Sequence, residues 1–120
     1  MSLKATVRQA GNVSIVDLSG RITLGEGSGL VRSTIKDLTA AGHLNLLLNL
    51  KDVNYIDSAG LGELVGAYAT VTNMGGRIKL LNAQSKVTDL LQVTKLYTVF
   101  SAFSDEGEAL RSFATTAGGA

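Results

Sequence analysis

Residues 44 to 62 constrain this chain more than any other stretch. Leu44-Asn45-Leu46-Leu47-Leu48-Asn49-Leu50 sets three leucines in a row, which suits a strand buried on both faces, as in the middle of a parallel sheet. Asn54-Tyr55-Ile56-Asp57-Ser58-Ala59-Gly60-Leu61-Gly62 follows as a turn, after which Leu61, Leu64, Val65, Tyr68, Val71 and Thr72 recur at helical spacing. Arg77-Ile78-Lys79-Leu80-Leu81 then makes another strand beyond Gly75-Gly76, so residues 44 to 81 read as one right-handed βαβ crossover. Ser58 falls at the predicted N-cap of the helix, where its hydroxyl accepts a hydrogen bond from an unpaired backbone N–H of the first turn. Gly60 and Gly62 are poor helix formers, and two of them in the opening turns predict that a partner, most simply a protein, comes close to this helix end.

The remaining segments build around that unit. Leu3, Ala5 and Val7 alternate with Lys4, Thr6 and Arg8, the pattern of an edge strand with one wet face. Gly11-Asn12 turns the chain into Val13 to Leu18, a second strand antiparallel to the first because the connection is short. A glycine-rich segment, Gly20 to Gly29, leads to a helix with Leu30, Val31, Ile35 and Leu38 on its apolar face, ended by Gly42. Ser85 caps a short helix carrying Val87, Leu90, Leu91 and Val93, and Tyr97 to Phe100 is β-prone enough for a last short strand. Asp105 and Glu108 resemble a capping box opening a final helix through Ala109, Leu110 and Phe113. The class is α/β: a mixed sheet of four to five strands with an N-terminal hairpin and about four helices. At 120 residues and 45% hydrophobic content there is room for one core. The domain spans residues 1–113, and residues 114–120 are a tail with little to bury.

Inventory removes most chemistries. The chain has no cysteine and one histidine, His43, so a disulfide framework, a thiolate site, a histidine-based zinc site and a Ser-His-Asp triad all lack parts. Ser58 beside Asp57 resembles a nucleophile with a carboxylate, but sequence neighbours on a turn seldom point together and no general base is at hand. Gly25-Glu26-Gly27-Ser28-Gly29-Leu30 invites comparison with a dinucleotide fingerprint, yet Leu30 stands where the third glycine belongs and no phosphate-loop lysine follows. Scattered carboxylates show no metal-binding spacing. A formal charge of +1, with Arg21, Arg32, Lys36, Lys79 and Lys86 spread out and not interleaved with aromatics, predicts a solvated surface rather than a nucleic-acid patch. No run approaches the roughly 18 apolar residues of a membrane span, and the start of the chain has no apolar signal region. The expectation is a cytoplasmic protein with no cofactor, no metal, no nucleic-acid partner and no membrane.

Asp17-Leu18-Ser19-Gly20-Arg21-Ile22, then Leu46 to Val53, then Tyr55 to Gly62, resemble the STAS domain of bacterial anti-sigma factor antagonists. The most specific part is Asp57-Ser58-Ala59-Gly60-Leu61-Gly62 directly after a buried strand. The resemblance covers Leu3 to Phe113 and implies a regulatory module, not an enzyme. In its unmodified state such a protein binds an anti-sigma factor that is also a serine kinase, and so frees the sigma factor. The kinase phosphorylates the serine matching Ser58, and a serine phosphatase resets it. By the same resemblance Asp57, Ala59, Gly60 and Gly62 surround the docking point, and Thr23, Glu26 and Ser85 are contacts on the same side of the domain. The family also includes scaffold subunits of signalling assemblies and members serving lipid transport, and a scaffold role is the main alternative, ahead of a nucleotide-binding domain built on Gly25 to Gly29.

Overall fold

A computed structural model of the chain describes residues 3–25 and 27–118, with side chains up to Ala114. Five strands and four helices follow one another as β1 (Lys4–Ala10), β2 (Val13–Ile22), α1 (Ser28–Ala40), β3 (Asn45–Ile56), α2 (Ser58–Asn73), β4 (Arg77–Leu81), α3 (Ser85–Thr94), β5 (Ala102–Phe103) and α4 (Glu106–Gly118). The sheet has the order β1-β2-β3-β4-β5. Only the β1–β2 hairpin is antiparallel; β2, β3, β4 and β5 run parallel. The expected hairpin, mixed sheet and βαβ unit are all present.

The leucine run explains why the sheet is covered on both sides. Successive side chains on a strand point to opposite faces. Leu46, Leu48 and Leu50 enter one core with residues of α1, α2 and α3, while Leu47 enters another with Val13, Ile15, Leu81 and the α4 residues Ala109 and Phe113. All four leucines are fully buried, and each such burial stabilises by about 1.5–3 kcal/mol. The single core expected from the sequence is therefore two, separated by the sheet. Chain length limits total burial, but it does not decide which face a helix takes.

Several expectations fail for local reasons. Tyr97 to Phe100 is not a strand: Leu96–Thr98 forms a 3-10 turn after Lys95, which has a left-handed φ of 62°. Phe100 is buried edge-on against Tyr68, and the strand at the sheet edge is Ala102–Phe103. The aromatic is spent on the core before the chain reaches β5. Leu30 and Val93 belong to no buried face, being 36% and 81% exposed. Lys79, expected in solvent, is buried, 4.7 Å above the Phe113 ring and donating to Ser112 Oγ; that burial lowers its pKa. Helix α4 opens as expected, with Asp105 accepting the Glu108 N–H at 2.8 Å, and it runs from Glu106 to Gly118. Gly119 and Ala120 lie outside the described residues.

Helix α1 ends as predicted. Gly42, at φ 87°, and His43 return their N–H groups to Thr39 and Leu38 carbonyls, satisfying two orphan acceptors.

Candidate functional site

The site forms where β2 and β3 end side by side. Ile22 and Ile56 are partners in the parallel register, both buried, and the Asp57 N–H continues the pairing by donating to the Ile22 carbonyl at 3.3 Å. Here the backbone turns into α2. The N-cap is Asp57, not Ser58. Asp57 has extended backbone (φ −105°, ψ −176°), and its Oδ1 accepts the Gly60 N–H at 2.8 Å. A carboxylate is a stronger acceptor at this position than a hydroxyl, because it also meets the positive end of the helix dipole. Ser58 is displaced to the first helical residue, where it is exposed.

Asp57 has a second task. Its Oδ2 accepts the Leu24 N–H at 3.2 Å, so one carboxylate ties the mouth of α2 to the loop after β2. These backbone donors, Gly60 first and then Leu24 and Ala59, hold its pKa below the usual carboxylate value. A base so engaged and so weak is poorly suited to activating its neighbour's hydroxyl.

Gly60 is used inside the domain. It is buried, and a Cβ there would run into the Ile22 carbonyl oxygen and lie 2.9 Å from Ile56 Cγ1. The close approach predicted for this glycine is real, but the group that approaches is the chain's own β2. Gly62 differs: it is exposed, and a Cβ there would meet nothing within 4 Å, so it serves no helix-to-sheet packing. Ala59, just before Gly60, is half-buried.

The other predicted contacts divide. Thr23 is brought in: it is half-buried, directly follows Ile22 and bridges to Gly27. Glu26 falls outside the described residues. Ser85 is exposed at the first residue of α3 and caps nothing; the N-cap is Gln84, which makes no side-chain cap bond and whose amide reaches the Lys51 carbonyl on β3. In the glycine-rich loop, Gly25 and Gly27 have φ of 83° and 93°, and a Cβ on Gly27 would collide with the Arg21 carbonyl. These glycines let the loop turn and pack on β2. His43 and Ser58 flank opposite ends of the 12-residue β3, which at ~3.3 Å per residue separates them by on the order of 40 Å.

The sequence reading missed Leu24. Its side chain is 78% exposed while its N–H is held by the Asp57 carboxylate, which ties an exposed apolar residue to the residue just before Ser58. A lone leucine between Thr23 and Gly25, with no apolar residue at strand or helix spacing within its loop, was the available signal.

This geometry can be set beside known proteins. The STAS domain family model matches residues 4–109. The chain belongs to the STAS domain family. A relative named anti-sigma-B factor antagonist, from Bacillus subtilis, is 33% identical over 109 residues, covering 89% of this chain and 98% of that protein. Among solved structures, an anti-sigma factor antagonist from Mycobacterium paratuberculosis superimposes with a TM-score of 0.83 at 22% identity, covering 94% and 95% of the two chains. The phosphorylated form of the Bacillus cell fate determinant SpoIIAA gives a TM-score of 0.72 at 19% identity, with 91% and 98% covered. The fold of this STAS domain is that of these antagonists. No helix among the described residues is long and apolar enough to cross a membrane.

Proposed function

We propose that this STAS protein is an anti-sigma factor antagonist that acts by partner switching in the cytoplasm. Unphosphorylated, it binds an anti-sigma factor that is also a serine kinase and frees the sigma factor. Phosphorylated on Ser58, it releases that kinase, and a serine phosphatase restores the binding form. The chain is the kinase's substrate and not itself an enzyme.

The observation that carries this reading is an exposed Ser58 on the first turn of α2, beside a carboxylate whose two oxygens are already taken by backbone donors. A visiting active site can reach such a hydroxyl, and the turn that presents it is held in one shape. Phosphorylation adds a charge of about −1.5 to −2. Within the domain the N-terminus of α2 favours an anion by about 0.3–1 kcal/mol, so the fold tolerates the modification, in keeping with a fold neighbour that has been solved phosphorylated. The cost falls on the interface. A partner packed on Ser58, Ala59 and the exposed Leu24 would face a hydrated dianion beside Asp57, and a loss of about 3 kcal/mol lowers affinity more than a hundredfold.

Incubation with an anti-sigma factor kinase and Mg-ATP, followed by mass spectrometry, tests the site: phosphate is expected on Ser58 and should be absent from Ser58→Ala. Calorimetry of Ser58→Asp against the same kinase should show at least a hundredfold weaker binding with the melting temperature little changed. Equal binding by both forms would sink the charge mechanism.

A further inference from the structure

The sheet face that carries α4 is covered over only part of its length. Helix α4 packs on Val13, Ile15, Leu47 and Leu81. Next along the strands comes a polar belt, in which Arg8 pairs with Asp17 and Glu106 and the Asn49 amide donates to Asp17. Beyond the belt the strand ends are bare. Arg21 and Tyr55 are partners in the β2–β3 register, one step before Ile22 and Ile56. Because Ile22 and Ile56 enter the core beneath α1 and α2, Arg21 and Tyr55 project from the other face.

There one ring gathers two cations. The Arg21 guanidinium carbon lies 4.8 Å from the Tyr55 ring centroid, and Lys86 Nζ, from the first turn of α3, lies 5.6 Å from it. Tyr55 is 38% exposed, and Arg21 and Lys86 are exposed. Elsewhere the chain matches guanidinium with carboxylate, Arg8 with Asp17 and Glu106 and Arg32 with Glu63. Among the described residues Arg21 and Lys86 make no ion pair, although Asp52 lies exposed on β3. Ring contacts at exposed sites hold each cation by only about 0.5–1 kcal/mol, and two positive charges on one ring repel. A carboxylate arriving from outside would relieve that repulsion and could take a forked bond from Arg21. Tyr55 is the penultimate residue of the strand that leads into Ser58, so this cluster sits at the same end of the sheet as the docking serine.

We infer that Arg21, Tyr55 and Lys86 form a second contact surface that receives an acidic, Asp- or Glu-bearing segment of the partner that docks at Ser58. This rests on the reading of Ser58 given above. A protein segment is favoured over nucleic acid because the whole chain carries a net charge of only +1 and Asp52 stands in the same bare strip, where it would repel a run of phosphodiesters.

Two titrations of the isotopically labelled full chain, at low salt, decide whether the surface takes carboxylates. With a hexaglutamate peptide, the amide signals of Arg21, Tyr55 and Lys86 should shift, and should not shift in the double variant Arg21→Glu, Lys86→Glu. With a hexathymidylate oligonucleotide the shifts should be at least fivefold smaller at equal concentration. Peptide shifts absent from these residues, or stronger binding of the oligonucleotide, would overturn the inference. Against the kinase, the double variant should bind at least tenfold more weakly and lose much of its salt dependence; equal binding would remove this surface from the complex. If the kinase fails to bind even the unmodified wild-type chain, the Ser58 reading fails, and the peptide titration still decides the chemistry of the cation pair.

Discussion

Ser58 and Ser85 occupy the same place on two helices. Each is the exposed first residue of a helix that follows a parallel strand. Their neighbours make them different. Before Ser58 stands Asp57, whose carboxylate spans from Gly60 to Leu24, and two residues after it Gly60 is wedged against the end of β2. Before Ser85 stands Gln84, which leaves its own helix uncapped and bonds to Lys51 instead. One serine is presented by a turn fixed at three points, and the other by a turn tied only sideways to β3. Accessibility is common to both, so what distinguishes Ser58 is a turn tied at three points, and a turn already fixed in shape costs a binding partner less ordering.

The largest contrast should be covalent. Replacing Ser58 with alanine should abolish phosphate incorporation by the kinase, while Ser85→Ala should leave its rate within a factor of two; loss of labelling in the second variant would break the distinction. Next come the glycines. Gly60→Ala forces a methyl group into the Ile22 carbonyl and should cost about 3 kcal/mol in urea unfolding, whereas Gly62→Ala, with open space around it, should stabilise by about 0.5–1 kcal/mol. If Gly62→Ala is more stable yet binds the kinase less well, Gly62 lies in the interface.

Smaller effects separate the caps. Asp57→Ala should lower the melting temperature by a few degrees and Gln84→Ala by about one degree or less, because only the first removes a cap bond. Acid sharpens this comparison. The Asp57 pKa is lowered in the folded state, so its contribution to stability is present above the unfolded value near ~4 and is lost as pH falls through the depressed folded value. Asp57→Asn should therefore flatten the loss of stability below about pH 4, measured by thermal melts across pH, and Gln84→Ala should leave that slope unchanged.

Much of this was legible in the residues. The leucine run of β3, the hairpin at Gly11-Asn12, the βαβ unit and the Schellman-type end at Gly42 follow from pleat, turn and cap chemistry acting over a few residues. The candidate site was legible as a place but not as an arrangement. Both serines were assigned as caps and both stand one residue further on. At α2 the capping preference is shared by Ser58 and Asp57 and is resolved by what else Asp57 can bind; at α3 Gln84 takes the N-cap place without a cap bond, its amide drawn to the Lys51 carbonyl. Asp57 wins since Leu24, 33 residues earlier, offers it a second donor. Tyr55 with Arg21 and Lys86 was invisible for the same reason: the three are separated in sequence and meet only across β2, β3 and α3.

Sequence alone determined that this chain forms a mixed α/β sheet with a serine at the mouth of its second helix, since strand burial, helix period and turn residues are short-range physics. Tertiary structure decided which groups surround that serine. Gly60 is packed against the chain's own β2, Asp57 is anchored to a distant loop, and Lys79 is buried with its ammonium over the Phe113 ring. Each depends on which elements come to lie side by side, and contacts between elements far apart in the chain leave no periodic trace in it.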